Sequence, residues 1–183
     1  RAAALLDEAG WRDSDGDGVR DKDGAPLQLT MALGGWGFNP DMAQLLQAQW
    51  SAVGVALTAE VLPYPALLEA GQGGSHHLTG FNLFGRDPNL LWSFYHSGGG
   101  FNFAHVADEE LDSRLDDAAA TSGSVRDRLW LYAQIQQVIV EQALVLPVRD
   151  YVNLNVARLD VQGLRFDAQG WFPWLVDVKL EPQ

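Results

Sequence analysis

An α/β fold, with a mixed sheet and flanking helices, is predicted by three features of the sequence. Apolar residues alternate at Leu27, Leu29, Met31 and Leu33, the period of a half-buried strand. Helical spacing follows at Met42, Leu45, Leu46, Gln49 and Val53, and a second strand-like run fills residues 55–62. Strand, helix and strand in that order make a parallel unit with a right-handed crossover.

The chain has 183 residues, 47% of them hydrophobic and 20% charged, enough for one domain with a proper core. The expectation is a single α/β lobe over residues 1–183. A net charge of -12 argues against nucleic acid, which demands a basic surface, and against docking on anionic lipid. There is no cysteine, which removes disulfides, thiolate metal sites and a cysteine nucleophile. No apolar run approaches the roughly 20 residues needed to span a bilayer. The opening RAAALLDEAGW reads as a helix entered midway, as in a fragment of a longer protein.

In chain order, residues 2–9 read as a helix stopped by Gly10, with Leu5, Leu6 and Ala9 on one face. Residues 13–24, DSDGDGVRDKDG, place Asp13, Asp15 and Asp17 at alternate positions, with Gly18 sixth. That is the oxygen spacing of a tight calcium loop, with the Val19 carbonyl seventh and Asp21 ninth. Position twelve is Gly24 rather than a bidentate Glu. The same residues also read as a polar hairpin loop rich in turn formers. No cofactor is required, and a calcium here would be structural.

After the strand at 26–33, Gly34 to Pro40 form a loop. Asn39 is positioned to cap the next helix, and Pro40 to begin it. A short helix is expected at 65–70, a third strand at 78–84 and a helix over 88–95. His76 and His77 are adjacent on extended chain, where side chains point opposite ways, so they make a poor metal pair. Residues 108–120 read as an acidic-ended helix with Leu111, Leu115 and Ala118 inward. A long amphipathic helix follows over 125–143 through Leu129, Tyr132, Gln136 and Ile139. Short strands are expected at 161–166 and 175–180, around an aromatic knot at 170–174.

The chemistry concentrates in residues 80–103, GFNLFGRDPNLLWSFYHSGGGFNF. Aromatic residues, Arg86, Asp87 and Asn102 lie there beside glycines, just past a predicted strand end. Ligands bind at such ends in open α/β sheets. The plain alternative is that the aromatics are core. No hydrolase elbow, phosphate loop or His-Glu-x-x-His pattern occurs. His96 and His105 flank the glycines and leave open an α/β enzyme domain. A calcium-stabilised extracellular interaction module is the other alternative.

Several runs together resemble a known family. They are LLDEAGWRDSDGDGVRDKDGAPLQLTM (5–31), LLQAQWSAVGVALTAEVL (45–62), FGRDPNLLWSFYHS (84–97), FNFAHVADEELDSRLDDA (101–118), RLWLYAQIQQVIVEQALVLPV (128–148) and WLVDVKL (174–180). The ordered set is similar to the family 5 extracellular solute-binding proteins, the dipeptide- and oligopeptide-binding type that serves ABC importers. The resemblance implies a type II periplasmic-binding-protein lobe, the carboxyl-terminal part of a two-lobed receptor, with about residues 171–183 returning toward the first lobe. It implies solute capture without catalysis, a peptide or other small ligand, ABC permease subunits as partners, and an extracytoplasmic place, periplasmic or lipid-anchored at the cell surface. No membrane insertion by this chain is implied. The face of residues 108–117 is a candidate permease contact.

The resemblance also implies site residues. A strand through Phe84, Gly85, Arg86 and Asp87 would pair with the ligand backbone, and Asp87 would hold a peptide amine. Related chains place a few residues between that Asp and the following Asp-Pro, whereas here one Asp-Pro stands alone, so Asp87 matches either acid. Arg86 would bind a carboxylate or pair with Asp87. Trp36, Phe38 and Phe101 would form adaptable apolar walls, with Asn102 at the rim. Peptide, nickel complex and sugar all remain possible ligands.

Overall fold

The computed structural model describes residues 1–81, 85, 87–148, 154–167, 170 and 172–181. The chain divides into two compact units, Arg1–Val145 and Leu146–Gln183.

The first unit opens with α1 (Ala2–Glu8), after which Gly10 takes a left-handed φ of +87°. No residue of α1 is buried and Leu5 is half exposed, so the apolar face expected for this helix is uncovered here. The acidic loop then closes through a short hairpin of two-residue strands, β1 (Asp21–Lys22) with β2 (Ala25–Pro26), turning at Asp23 and Gly24 with positive φ. Arg20 anchors this region. Its guanidinium reaches Asp7 and the carbonyls of Trp11 and Val53 at 2.6–2.8 Å, joining α1 to the end of the next helix.

The predicted parallel unit is present. β3 (Gln28–Gly34) pairs in parallel with β4 (Ala56–Leu62), in register from Gln28 opposite Ala56 to Gly34 opposite Leu62. β5 (Leu78–Gly80) pairs in parallel with the other edge of β3, giving the order β4-β3-β5. Between β3 and β4 lies α2 (Asn39–Ser51), which buries Met42 and Ala43 against Met31, Leu33 and Leu57. Leu45, expected on that face, is 58% exposed. The cap also differs from the expectation. Phe38 is the N-cap, because the Asn39 N–H donates to the Trp36 carbonyl in a turn through Gly37 at φ +60°. This carries the Asn39 side chain inward to 1% exposure.

After β4, α3 (Tyr64–Gly73) runs three residues beyond the expected 65–70 and ends at Gly74 in the left-handed conformation. α4 (Leu90–Tyr95) begins later than residue 88, because residues 87–90 form a turn closed by the Leu90 N–H on the Asp87 carbonyl. α5 (Glu109–Ala120) is capped by the Asp108 carboxylate, which accepts from the N–H groups of Glu110 and Leu111. α6 (Val125–Glu141) opens on a reciprocal capping box between Ser124 and Asp127. These three helices enclose a second core of Tyr95, Val106, Leu111, Leu115, Ala118, Tyr132, Ile135 and Ile139. Leu129, expected inward, is 58% exposed, because the buried stripe of α6 follows 132, 135 and 139.

In the second unit, β6 (Val161–Gln162) pairs antiparallel with β9 (Lys179–Leu180), and β7 (Arg165–Phe166) with β8 (Pro173–Trp174). The strand expected over 161–166 is split by Gly163 at φ +74°. There the ideal Cβ position falls 2.1 Å from the Asp177 carbonyl oxygen, so only glycine fits. Leu154, Val156, Leu159 and Val176 are each more than four-fifths exposed.

Candidate ligand site

The site starts where β3 and β5 end. Beyond β3, Trp36 folds its ring over Gly34, whose ideal Cβ position lies 2.0 Å from the indole, so a side chain at 34 would expel it. Trp36 also meets Tyr64 at 5.9 Å between ring centroids. Phe38 packs, half-buried, against the β3–α2 core. Behind them Asn39 is buried, and its Nδ2 has no hydrogen-bond partner among the described residues.

Beyond β5, Phe81 joins an aromatic cluster. Its ring lies 5.8 Å from Phe94, 6.0 Å from Phe101 and 5.6 Å from Phe103. Phe94 and Phe101 stack at 5.3 Å and 17°. Offset stacks and edge contacts of this kind suit the ring quadrupole. Phe103 is buried, whereas Phe81, Phe94 and Phe101 are partly exposed. The structure thus brings Phe101 beside Phe81, the residue that follows β5.

Phe84 and Arg86 lie outside the described residues, and so does the ligand strand they were expected to form. Gly85 sits with its ideal Cβ position 3.0 Å from Leu90, leaving little room for a side chain. Asp87 accepts from the Asn89 N–H at 2.9 Å and from Arg128 of α6 at 2.8 Å. The Asn89 N–H holds the Asp87 carboxyl below its ordinary value, with Arg128 adding to the effect. Asn102 turns its amide to the chain itself: Nδ2 donates to the Val106 carbonyl at 2.8 Å, and Oδ1 accepts from the Val106 N–H at 3.0 Å. Arg128 was not foreseen as a site residue. It stands 41 positions from Asp87, and no local pattern joins the two.

In the acidic loop, ligand oxygens of Asp13, Asp15 and Asp17 lie within 4.8 Å of one another. Asp13 also accepts from the N–H groups of Gly16 and Gly18, and Asp17 from that of Val19. Asp21 turns to Ser14, whose hydroxyl, then its N–H, holds the carboxyl below the ordinary range. Three converging carboxylates suit a hard cation.

The histidines serve separate local roles. His76 Nδ1 donates to the Ala70 carbonyl and Nε2 faces the Thr79 hydroxyl, while His77 Nδ1 accepts from the Thr30 N–H. His96 stacks on Trp92 at 4.4 Å, with Nε2 3.5 Å from Asp116. His105 Nε2 donates to the Gly71 carbonyl at 3.1 Å.

The sequence profile of the bacterial extracellular solute-binding proteins, family 5, middle region, matches residues 1–103. The chain belongs to this family. Within the family 5 proteins it is 34% identical over 139 residues to a probable di/tripeptide-binding protein 5 of Pseudomonas aeruginosa (strain UCBPP-PA14), covering 72% of this chain and 26% of that one. The oligopeptide-binding protein AppA from Bacillus subtilis, solved in complex with a nonapeptide, superposes with a TM-score of 0.64 at 27% identity, over 76% of this chain and 29% of AppA. A nickel ABC transporter structure from Bacillus halodurans superposes at 0.67 with 27% identity, over 78% and 30%. This family 5 chain therefore spans under a third of the length of these relatives, and its fold is that of the type II binding proteins.

Proposed function

We propose that this chain is the ligand-holding part of an extracytoplasmic receptor that captures peptides for an ABC importer, without catalysis. The observation that carries the reading is the aromatic cluster just beyond β5, in a chain of a solute-binding family. Backbone pairing along residues 84–87 gives sequence-tolerant affinity, as strand addition does elsewhere. Trp36, Phe38 and Phe101 supply apolar walls, and Asp87 takes the peptide amine. The chain forms the carboxyl-terminal lobe, with about residues 171–183 returning toward the first lobe, and permease subunits receive the loaded receptor.

Titration calorimetry of the full-length protein with di- and tripeptides, nickel chelates and oligosaccharides tests this. Saturable binding of the peptides is expected. Binding only of a metal chelate or a sugar would replace the ligand class, and binding of none would sink the capture role.

A structural calcium on Asp13, Asp15 and Asp17 accompanies this reading, supported by the convergence of their carboxylates. A chelator should then lower the melting temperature and added calcium restore it; an unchanged melting temperature removes the ion.

A further inference from the structure

We infer that His105 and Gly71 are positioning residues that set the selectivity of this site for aromatic ligand side chains, an inference that rests on the peptide reading above. Gly71 is buried in the last turn of α3. The space its side chain would take is held by the Phe103 ring, whose Cγ and Cδ1 lie 2.7 Å from the ideal Cβ position. The same residue offers its carbonyl to His105 Nε2 at 3.1 Å. His105 holds a left-handed backbone, φ +49°, which a residue with a Cβ adopts at a cost. The bond to Gly71 offsets that cost. The paired bonds between Asn102 and Val106 close the loop around it.

The short run 101–103 is held at both ends, Phe103 by this anchorage and Phe101 by its N–H on the Ser93 carbonyl at 2.9 Å. Phe103 is keyed into Gly71, and Phe101 is carried onto Phe94 and Phe81. Phe81 directly follows β5 and leads into the proposed ligand strand. Releasing the loop from α3 therefore displaces Phe103, against whose ring Phe81 and Phe101 pack at 5.6 and 5.9 Å. A ligand aromatic ring loses its wall, whereas a ligand with only methyl side chains loses little. A purely structural role for His105 would instead weaken all ligands alike.

The test uses the full-length protein with two probes, trialanine and Ala-Phe-Ala, titrated against wild type, His105→Leu and His105→Gln. Both substitutions carry the same left-handed backbone cost, but Gln keeps an N–H donor for the Gly71 carbonyl. Wild type is expected to prefer Ala-Phe-Ala. His105→Leu should lose about fivefold of that preference, with trialanine affinity changed by less than about twofold, and His105→Gln should retain most of it. Gly71→Ala should shift the preference in the same direction. If His105→Leu fails to fold, His105→Asn tolerates the backbone and is too short to reach Gly71. Equal losses for both peptides, or an unchanged preference, overturn the inference. So does a wild type that binds both peptides equally, whereas a wild type that binds neither overturns the peptide reading itself.

Discussion

Arg128, on the second turn of α6, holds Asp87 at 2.8 Å across 41 residues of sequence. The same guanidinium lies 5.4 Å from the centre of the Tyr132 ring. The acid expected to anchor a ligand amine thus already has a cation, supplied by the helix that closes the second core. If Asp87 takes the peptide amine as proposed, that amine would displace or share Arg128.

This competition gives opposite signs for two substitutions. Arg128→Ala should tighten binding of a free-amine peptide, and Asp87→Ala should weaken it by about tenfold or more. Calorimetry on the full-length protein decides; an N-acetylated peptide should respond to neither change. Equal effects of both substitutions would remove Asp87 from amine recognition.

The hydroxyl of Tyr132 donates to Asn89 Oδ1 at 3.1 Å and fixes the start of α4 to α6. Tyr132→Phe keeps the buried ring and deletes only this bond. A loss of about 1 kcal/mol in urea unfolding is expected, with an unchanged m-value.

Gly99 has no room for a side chain, since its ideal Cβ position lies 2.5 Å from the Ser93 carbonyl oxygen. That oxygen also accepts from the Phe101 N–H at 2.9 Å. Gly99→Ala should push the loop off α4 and cost about 1–3 kcal/mol, again read from urea midpoints.

The Asp108 carboxyl is held below its ordinary value of 3.8, chiefly by the Leu111 N–H, then by Gln142. A depressed folded value means stability that is fully present above 3.8 and lost as pH falls through the folded value. Urea midpoints should therefore decline on the acid side. Asp108→Asn should flatten part of that decline while keeping a capping side chain. An acid limb of unchanged slope in the variant would assign the effect to other carboxylates.

Ser124→Ala removes one half of the capping box at the start of α6. The expected loss is about 1 kcal/mol, and Ser124→Asp should recover most of it.

Local pattern determined much of this protein. Alternation at 27–33, helical spacing at 42–53 and the glycine stop at 10 announced β3, α2 and the end of α1. Those signals come from residues within one turn or one pleat of each other. Leu111, Leu115 and Ala118 were recognisable as core for the same reason. The ordered family motifs added the solute-binding identity. Tertiary structure decided what depends on contacts between distant segments: that Arg128 meets Asp87, that His105 caps Gly71, that Asn102 serves its own loop, and that Leu45 and Leu129 face outward. Periodicity tells which residues share a face, but the neighbours present decide which part of that face is covered. A polar side chain carries no mark of its partner until the chain has closed the distance between them.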